Sequence, residues 1–470
     1  MERKHLMGMT LAFTILLAAS LFLSRAVPAD EYPMPNPPDD TSSYGKHFQR
    51  SMTLMATSTP EKRNTVRILY YGQSIVGQRW SDMVDDYLRD RFPNTDFVTK
   101  NLAIGGFSSE RLVRTMHYDV FPFYPDLLIF HVYGSHIEYE KVIKEIRKRT
   151  AAEIIIQTDH ANKWPEHRAD SFGEQESWQA KINYWYLPQI AQNYNCALQP
   201  QRDEWAQYMR DHSLEPEDLL TDTVHLNEHG KWLMAELMKR FLVYLPDEPQ
   251  DEWKDLVKTY VVGEDVKWQG NKLTLEFQGN RVVALAAEGP GGTAQVLIDG
   301  KKTNEFPECY TFTRPSTTKN IGWPAIMKIS WQTPPILEEW TAICSDFNDE
   351  HDDFKFTVTG SVTGFDGNGT AKKKFVSNSG RAIIEPQDWV FVFDKKVSNQ
   401  PTPDGWTVKW KVTPMFLDEY TPPEVEDPSR EYQTVLVQGL ENTKHTLELV
   451  AIGAQRPPIQ AIRVHTPPFR

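Results

Sequence analysis

Val66-Arg67-Ile68-Leu69-Tyr70-Tyr71 runs into Gly72-Gln73-Ser74, and the reading of that junction decides the fold. The first six residues form a short, largely apolar run of the kind a buried strand favours. Beyond the glycine, Trp80, Met83, Val84, Tyr87 and Leu88 follow the i, i+3, i+4 spacing of an amphipathic helix, which Pro93 closes. The alternation then repeats. A strand is predicted over Asp96 to Leu102, a helix from about Ser109, and a buried strand over Asp126-Leu127-Leu128-Ile129-Phe130-His131-Val132. A helix from Glu138 to Arg149 leads into the strand Glu153-Ile154-Ile155-Ile156-Gln157, and a last helix spans Asn227 to Tyr244 before Pro246. Near-continuous apolar strands alternating with helices mean a parallel sheet covered on both faces, here over residues 64–250.

On the N-terminal side, residues 30–63 carry Pro33, Pro35, Pro37, Pro38 and Pro60 among Ser, Thr and Asp, and are read as a Pro-rich leader or linker. Before them, the apolar run Leu6 to Leu23 follows Arg3 and Lys4 and precedes small residues at Ala26 and Ala29. That is the pattern of a secretory signal peptide over residues 1–29, and it implies a secreted or periplasmic protein; membrane attachment follows only if the segment is not cleaved. On the C-terminal side, residues 251–470 break into short alternating runs such as Leu273-Thr274-Leu275-Glu276-Phe277 and Thr407-Val408-Lys409-Trp410, with Gly, Asn, Asp and Pro between them. Many short strands with turn signals predict an all-β sandwich as an accessory domain.

The 470 residues, 40% hydrophobic and 24% charged, suit two or three globular units and exclude disorder, collagen and coiled coil. The net charge of −13 becomes −15 without residues 1–29, which hold three basic residues and one acidic. So acidic a chain is a poor ligand for phosphate backbones, and no nucleic-acid partner is expected. Cys196, Cys309 and Cys344 do not make a disulfide scaffold; a Cys309–Cys344 bridge and free buried thiols both fit the sequence.

In an open parallel sheet, ligands bind beyond the carboxyl ends of the strands. There stand Gly72-Gln73-Ser74, then Asn101-Leu102-Ala103-Ile104-Gly105-Gly106, then Tyr133-Gly134-Ser135-His136, and before the last helix Asp222-Thr223-Val224-His225. A serine, a glycine turn and an Asp-x-x-His pair on one edge are what serine-dependent acyl transfer needs. Ser74 is the candidate nucleophile, with its own N–H at a helix start facing the oxyanion, and Gly106 would bring a second N–H close. His225 would take the serine proton, with Asp222 orienting its ring.

These four blocks resemble, in order and spacing, those of the SGNH (GDSL-like) hydrolases. The resemblance covers about residues 64–247 and implies a flavodoxin-like three-layer α/β/α domain with esterase chemistry, Ser74, Asp222 and His225 as triad, and no cofactor. Gln73 departs from the usual aspartate and resembles the Gly-Gln-Ser of sialate O-acetylesterases and related carbohydrate acetylesterases. The family's oxyanion asparagine has no counterpart in Tyr133-Gly134-Ser135-His136, so Ser135 or His136 is the candidate substitute. The C-terminal part resembles, through Val296-x-Ile298-Asp299-Gly300 and His445-Thr446-Leu447, the jelly-roll modules that accompany secreted carbohydrate-active enzymes.

The reading that follows is an esterase removing an acyl group, acetyl foremost, from a carbohydrate or other small ester substrate. Its alternatives are a non-catalytic glycan-binding or surface protein and a lipase or thioesterase. Several residues admit a second role. Asp159-His160 are candidates for the substrate cleft, with Gln73 and His136, or for a rival dyad, whereas His131 reads as a core histidine. His225 and His229, four apart, lack the third ligand of a metal site, so none is predicted. Asp366-Gly367-Asn368-Gly369 reads as a β-turn before a calcium loop, and Asn368-Gly369-Thr370 matches a glycosylation acceptor. Among the 14 tryptophans, Trp268, Trp323, Trp331, Trp406 and Trp410 are candidates for stacking on sugar.

Overall fold

The computed structural model describes residues 32–164, 177–248 and 255–469. The predicted signal segment and the predicted domain junction near residue 250 lie outside them. Five parallel strands, β1 (Thr65–Gly72), β2 (Asp96–Asn101), β3 (Leu127–His131), β4 (Glu153–Gln157) and β5 (Ala197–Gln199), form one sheet in the order β2-β1-β3-β4-β5. The register sets Gly72 opposite His131 and Phe130 opposite Ile156. After β1 the chain steps outward to β2, then returns past β1 to β3. The strand order therefore reverses between β1 and β3, and in open α/β sheets the carboxyl ends at such a reversal are where ligands bind.

The apolar runs are explained by burial on both faces. Val66, Ile68, Tyr70, Leu127, Ile129 and Ile155 pack into one core with α1 (Gln49–Ala56), α2 (Trp80–Arg91) and the helix Glu228–Phe241. Their neighbours Leu69, Tyr71, Leu128, Phe130, Ile154 and Ile156 pack into the other, against α3 (Ser109–Phe123) and α4 (His136–Arg149). Because side chains alternate across a strand, a run buried on both sides must be apolar at nearly every position. Each fully buried Leu, Ile or Val contributes about 1.5–3 kcal/mol relative to exposure. Phe48, Met52 and Met55, in or beside α1, lie in the first core.

Between β4 and β5 lie α5 (Trp178–Lys181), a π-helical turn Ile182–Tyr186 and α6 (Leu187–Asn193), followed after β5 by α7 (Gln201–Asp211); the helix at Glu228–Phe241 is α8. The C-terminal part is mainly β, as predicted, with one short helix at Phe391–Ser398, and consists mainly of two antiparallel sheets. One is built on the long strands Lys272–Ala286 and Gln433–Ile452, the other on Glu339–Ser345 and Trp406–Pro414. Each has its own buried cluster. Cys309 belongs to the first and Cys344 to the second, and both are free and buried, as is Cys196. The bridge considered from sequence is therefore not made.

The Asp366–Gly369 segment is neither turn nor ion loop. It lies within the strand Gly364–Thr370, where the Asp366 carboxylate accepts from the N–H and hydroxyl of Ser379 at 2.7 and 2.6 Å. Gly369 is required because a Cβ would stand 2.3 Å from the Phe356 ring.

The two parts meet along α3. Arg314 pairs with Asp119 at 2.8 Å, Arg114 pairs with Asp388, the Tyr118 hydroxyl donates to the Ile326 carbonyl at 2.6 Å, and Gln438 donates to the Phe121 carbonyl at 2.7 Å.

Candidate active site

Ser74 owes its place to the end of β1. A Cβ on Gly72 would come within 2.0 Å of the His131 carbonyl oxygen, so only glycine lets β1 and β3 approach there. The Gln73 carbonyl then accepts from the N–H groups of Val76 and Gly77 at 3.0 and 3.2 Å, closing a tight turn with Ser74 at its head. This corrects the expectation of a helix start. The turn ends at Gly77-Gln78 and Arg79, which takes a left-handed φ of 35°, and α2 begins only at Trp80. The Ser74 N–H therefore lies on an isolated turn, away from the N-terminal dipole of α2.

His225 and Asp222 come from the loop before α8. One carboxylate oxygen of Asp222 accepts from the N–H groups of Val224 and His225, both at 2.7 Å, and the other meets His225 Nδ1 at 2.8 Å. A three-residue spacing lets one carboxylate shape the turn and hold the ring together. Those backbone bonds, then the ring contact, pull the Asp222 carboxyl down to about 2, so it stays ionised. Because a carboxylate only accepts, His225 Nδ1 carries hydrogen and Nε2 is the bare nitrogen. Ser74 Oγ lies 2.9 Å from that nitrogen. The three residues predicted from sequence thus form one unbroken chain, Ser74–His225–Asp222, open to solvent.

Gln78 and Asn162, which the sequence reading left unassigned, and Trp323, which it read as a candidate for stacking on sugar, hold the chain in place. Gln78 donates to the Leu226 carbonyl at 2.9 Å and accepts from the Leu226 N–H at 3.0 Å, tying the serine turn to the histidine loop. Asn162 donates to the Thr223 carbonyl at 3.0 Å. Trp323, from the β part, donates its indole N–H to the Gly105 carbonyl at 2.6 Å, and a Cβ on Gly106 would meet its ring at 2.8 Å. Such pairings cross 148, 61 and 218 residues of chain and leave no local pattern.

The glycine turn lies beside Ser74. A Cβ on Gly105 would stand 3.6 Å from that of Ser74, and Gly106 has φ of +77°, a conformation that suits glycine. Among the described residues, no hydrogen bond takes the N–H of Ser74, Gly105 or Gly106. These are the backbone donors available to an oxyanion. Ser135 is anchored instead to α3: its N–H donates to Glu110 at 3.1 Å and its carbonyl accepts from Ser109 at 2.9 Å. His136 stacks on Tyr186, ring centres 3.7 Å apart.

Asp159 and His160 do not pair with each other. His160 Nε2 bonds the Val224 carbonyl at 2.9 Å, bracing the loop between Asp222 and His225, and burial pushes its pKa down to about 3. Asp159 faces His131 at 3.1 Å, so His131 is the core histidine expected, buried and satisfied by a polar partner. His229, four residues beyond His225, bonds the Tyr208 hydroxyl at 2.7 Å, so the two rings serve different partners. Of the tryptophans considered for stacking, Trp323 and Trp410 are buried and Trp268, Trp331 and Trp406 half-buried. Among the described tryptophans, Trp164 and Trp178 are exposed.

No protein-family model and no curated protein matches the chain. Solved structures similar to it include a two-domain esterase (CEX) active on acetylated mannans, co-crystallised with mannopentaose; it is 12% identical, over 91% of this chain and 97% of that one, with a TM-score of 0.35. The acetylxylan esterase Axe2 from Geobacillus stearothermophilus is 16% identical, over 40% and 98%, with a TM-score of 0.34. The acetyl xylan esterase AlAXEase is 21% identical, over 38% and 100%, with a TM-score of 0.31.

Proposed function

We propose that this protein is a serine ester hydrolase of the SGNH type that removes a small acyl group, acetyl foremost, from a carbohydrate. The observation that carries the reading is the Ser74–His225–Asp222 chain, with contacts of 2.9 and 2.8 Å between its members. Ser74 Oγ attacks the ester carbonyl while its proton passes to His225 Nε2. The negative charge that develops on the carbonyl oxygen is met by N–H groups of Ser74 and the Gly105-Gly106 turn. As the tetrahedral centre collapses, the ester C–O bond breaks and His225 returns the proton to the departing alcohol. Water, deprotonated by His225, then releases the acid from Ser74 in the same sequence. Asp222 remains ionised throughout and stabilises the imidazolium.

A sugar substrate is supported by aromatic side chains on the same edge. Trp178, 47% exposed, begins α5, and its neighbour Gln179 donates to Asn162, which holds the Thr223 carbonyl beside Asp222. Trp178 also approaches the His136–Tyr186 stack. Exposed aromatic faces suit the apolar faces of sugar rings. Secretion belongs to the same proposal, through the predicted signal segment.

The test is hydrolysis of a short acetyl ester by the purified protein and its Ser74→Ala variant. Loss of about 10⁴-fold or more in kcat/KM is expected. Full activity in the variant overturns the mechanism, and rates that rise steadily with acyl length would transfer the assignment to a lipase.

A further inference from the structure

Behind Ser74 lies a second histidine–carboxylate pair. Ser74 Oγ is 2.9 Å from Gln73 Oε1, and the other end of that amide, Nε2, is 3.4 Å from His131 Nδ1. His131 Nε2 is 3.1 Å from Asp159 Oδ1, and Asn183, in the π-helical turn, donates to Asp159 Oδ2 at 3.0 Å and accepts from its N–H at 2.7 Å. Gln73, His131, Asp159 and Asn183 are each at most 5% exposed. Four buried polar side chains in sequence are costly unless every donor finds an acceptor.

The direction of the chain follows from what each group can do. Burial raises the Asp159 carboxyl, but the hydrogen bonds of His131 and Asn183, with Arg202 nearby, bring it below the usual carboxylate range. An ionised carboxylate accepts only, so the neutral form of His131 carries its hydrogen on Nε2 and leaves Nδ1 bare. A bare Nδ1 accepts from the amide nitrogen of Gln73. The amide oxygen must then face Ser74, where the Ile75 N–H also approaches it at 3.4 Å. The serine proton consequently lies between two acceptors, Gln73 Oε1 and His225 Nε2, each 2.9 Å from Oγ.

We propose that His131 and Asp159 are positioning residues that fix the Gln73 amide with its oxygen toward Ser74, so that the hydroxyl is held in the one rotamer that reaches His225. The proposal rests on Ser74 being the nucleophile. Replacing His131 by leucine frees the amide to turn and the hydroxyl to leave its rotamer. Replacing it by glutamine keeps an acceptor for Gln73 and a donor for Asp159 on one side chain.

Kinetics on a short acetyl ester and the tautomer of His131 test this together. His131→Leu is expected to lower kcat about 10- to 100-fold while KM changes by no more than about twofold. His131→Gln is expected to recover most of that loss. Equal losses in the two variants, or no loss in either, overturn the proposal, since packing alone would not favour glutamine over leucine. Nitrogen-15 NMR of histidine-labelled wild-type protein, with the signal assigned by its disappearance in His131→Gln, reads the tautomer without turnover. Hydrogen on Nε2 supports the arrangement even if His131→Leu does not fold; hydrogen on Nδ1 overturns it. Activity persisting in Ser74→Ala is a failure of the esterase mechanism, separately visible from the tautomer.

Discussion

Ser74, His225 and Asp222 are spread over 151 residues, and the amide of Gln78, which bonds both backbone groups of Leu226, ties the turn of Ser74 to the loop of His225. Gln78→Ala removes both bonds and lets the loops drift apart. Its kcat is expected to fall about tenfold, with thermal stability little changed, because small misplacement of a nucleophile is costly to rate. Asp222→Asn acts differently: an amide can offer its N–H to His225 and permit the wrong tautomer. The expected loss in kcat/KM is about 10³- to 10⁴-fold, measured on the same ester with the variant's fold checked by circular dichroism.

At the scale of elements, the site is a product of two glycine contacts and one missing helical turn. Gly72 brings β1 against β3, and the segment from Ser74 to Arg79 delays α2 until Trp80. Gly72→Ala would force a methyl group to within 2.0 Å of the His131 carbonyl oxygen. A loss of about 1–3 kcal/mol in urea unfolding is expected, with activity falling more than stability because both strand ends carry site residues. From β1 to β4 the strands and helices were legible because long apolar runs and helical spacing are strong local signals, whereas α1 lies inside the segment read as a Pro-rich leader or linker. The α5–π–α6 segment and β5 were not. β5 has three residues, and its partner is β4, 40 residues back, so neither period nor length marks it.

For the whole molecule, the β part touches the edge that carries Ser74 through Trp323, which bonds the Gly105 carbonyl and fills the space beside Gly106. Trp323→Ala is expected to lower kcat on the small ester even though the residue is remote in sequence and in the other part of the chain. Unchanged kcat would mean that the glycine turn holds its shape alone. Buried histidines set the acid limit of the fold. His160 is held down to about 3, and burial lowers His117 and His465 well below their usual range. A histidine with a lowered folded pKa contributes stability that is fully present above its unfolded value, about 6.5, and lost as pH falls toward the folded value. The melting temperature is therefore expected to drop between pH 6.5 and 4, and His160→Gln to flatten that slope.

By itself the sequence determined the layered α/β class and the β character of the C-terminal part, and it singled out Ser74, Asp222 and His225, which the fold joins in one chain of contacts. Those features are written in local patterns: two-faced apolar runs, helical spacing, and short motifs at strand ends. Only the tertiary structure decided that Asp159 answers His131, that His160 braces the catalytic loop, that Gln78 joins the two loops and that Trp323 backs the glycine turn. Each is a pairing between polar groups distant in the chain. Such pairings are chosen by which donors and acceptors the fold buries together, and burial is a property of the assembled chain.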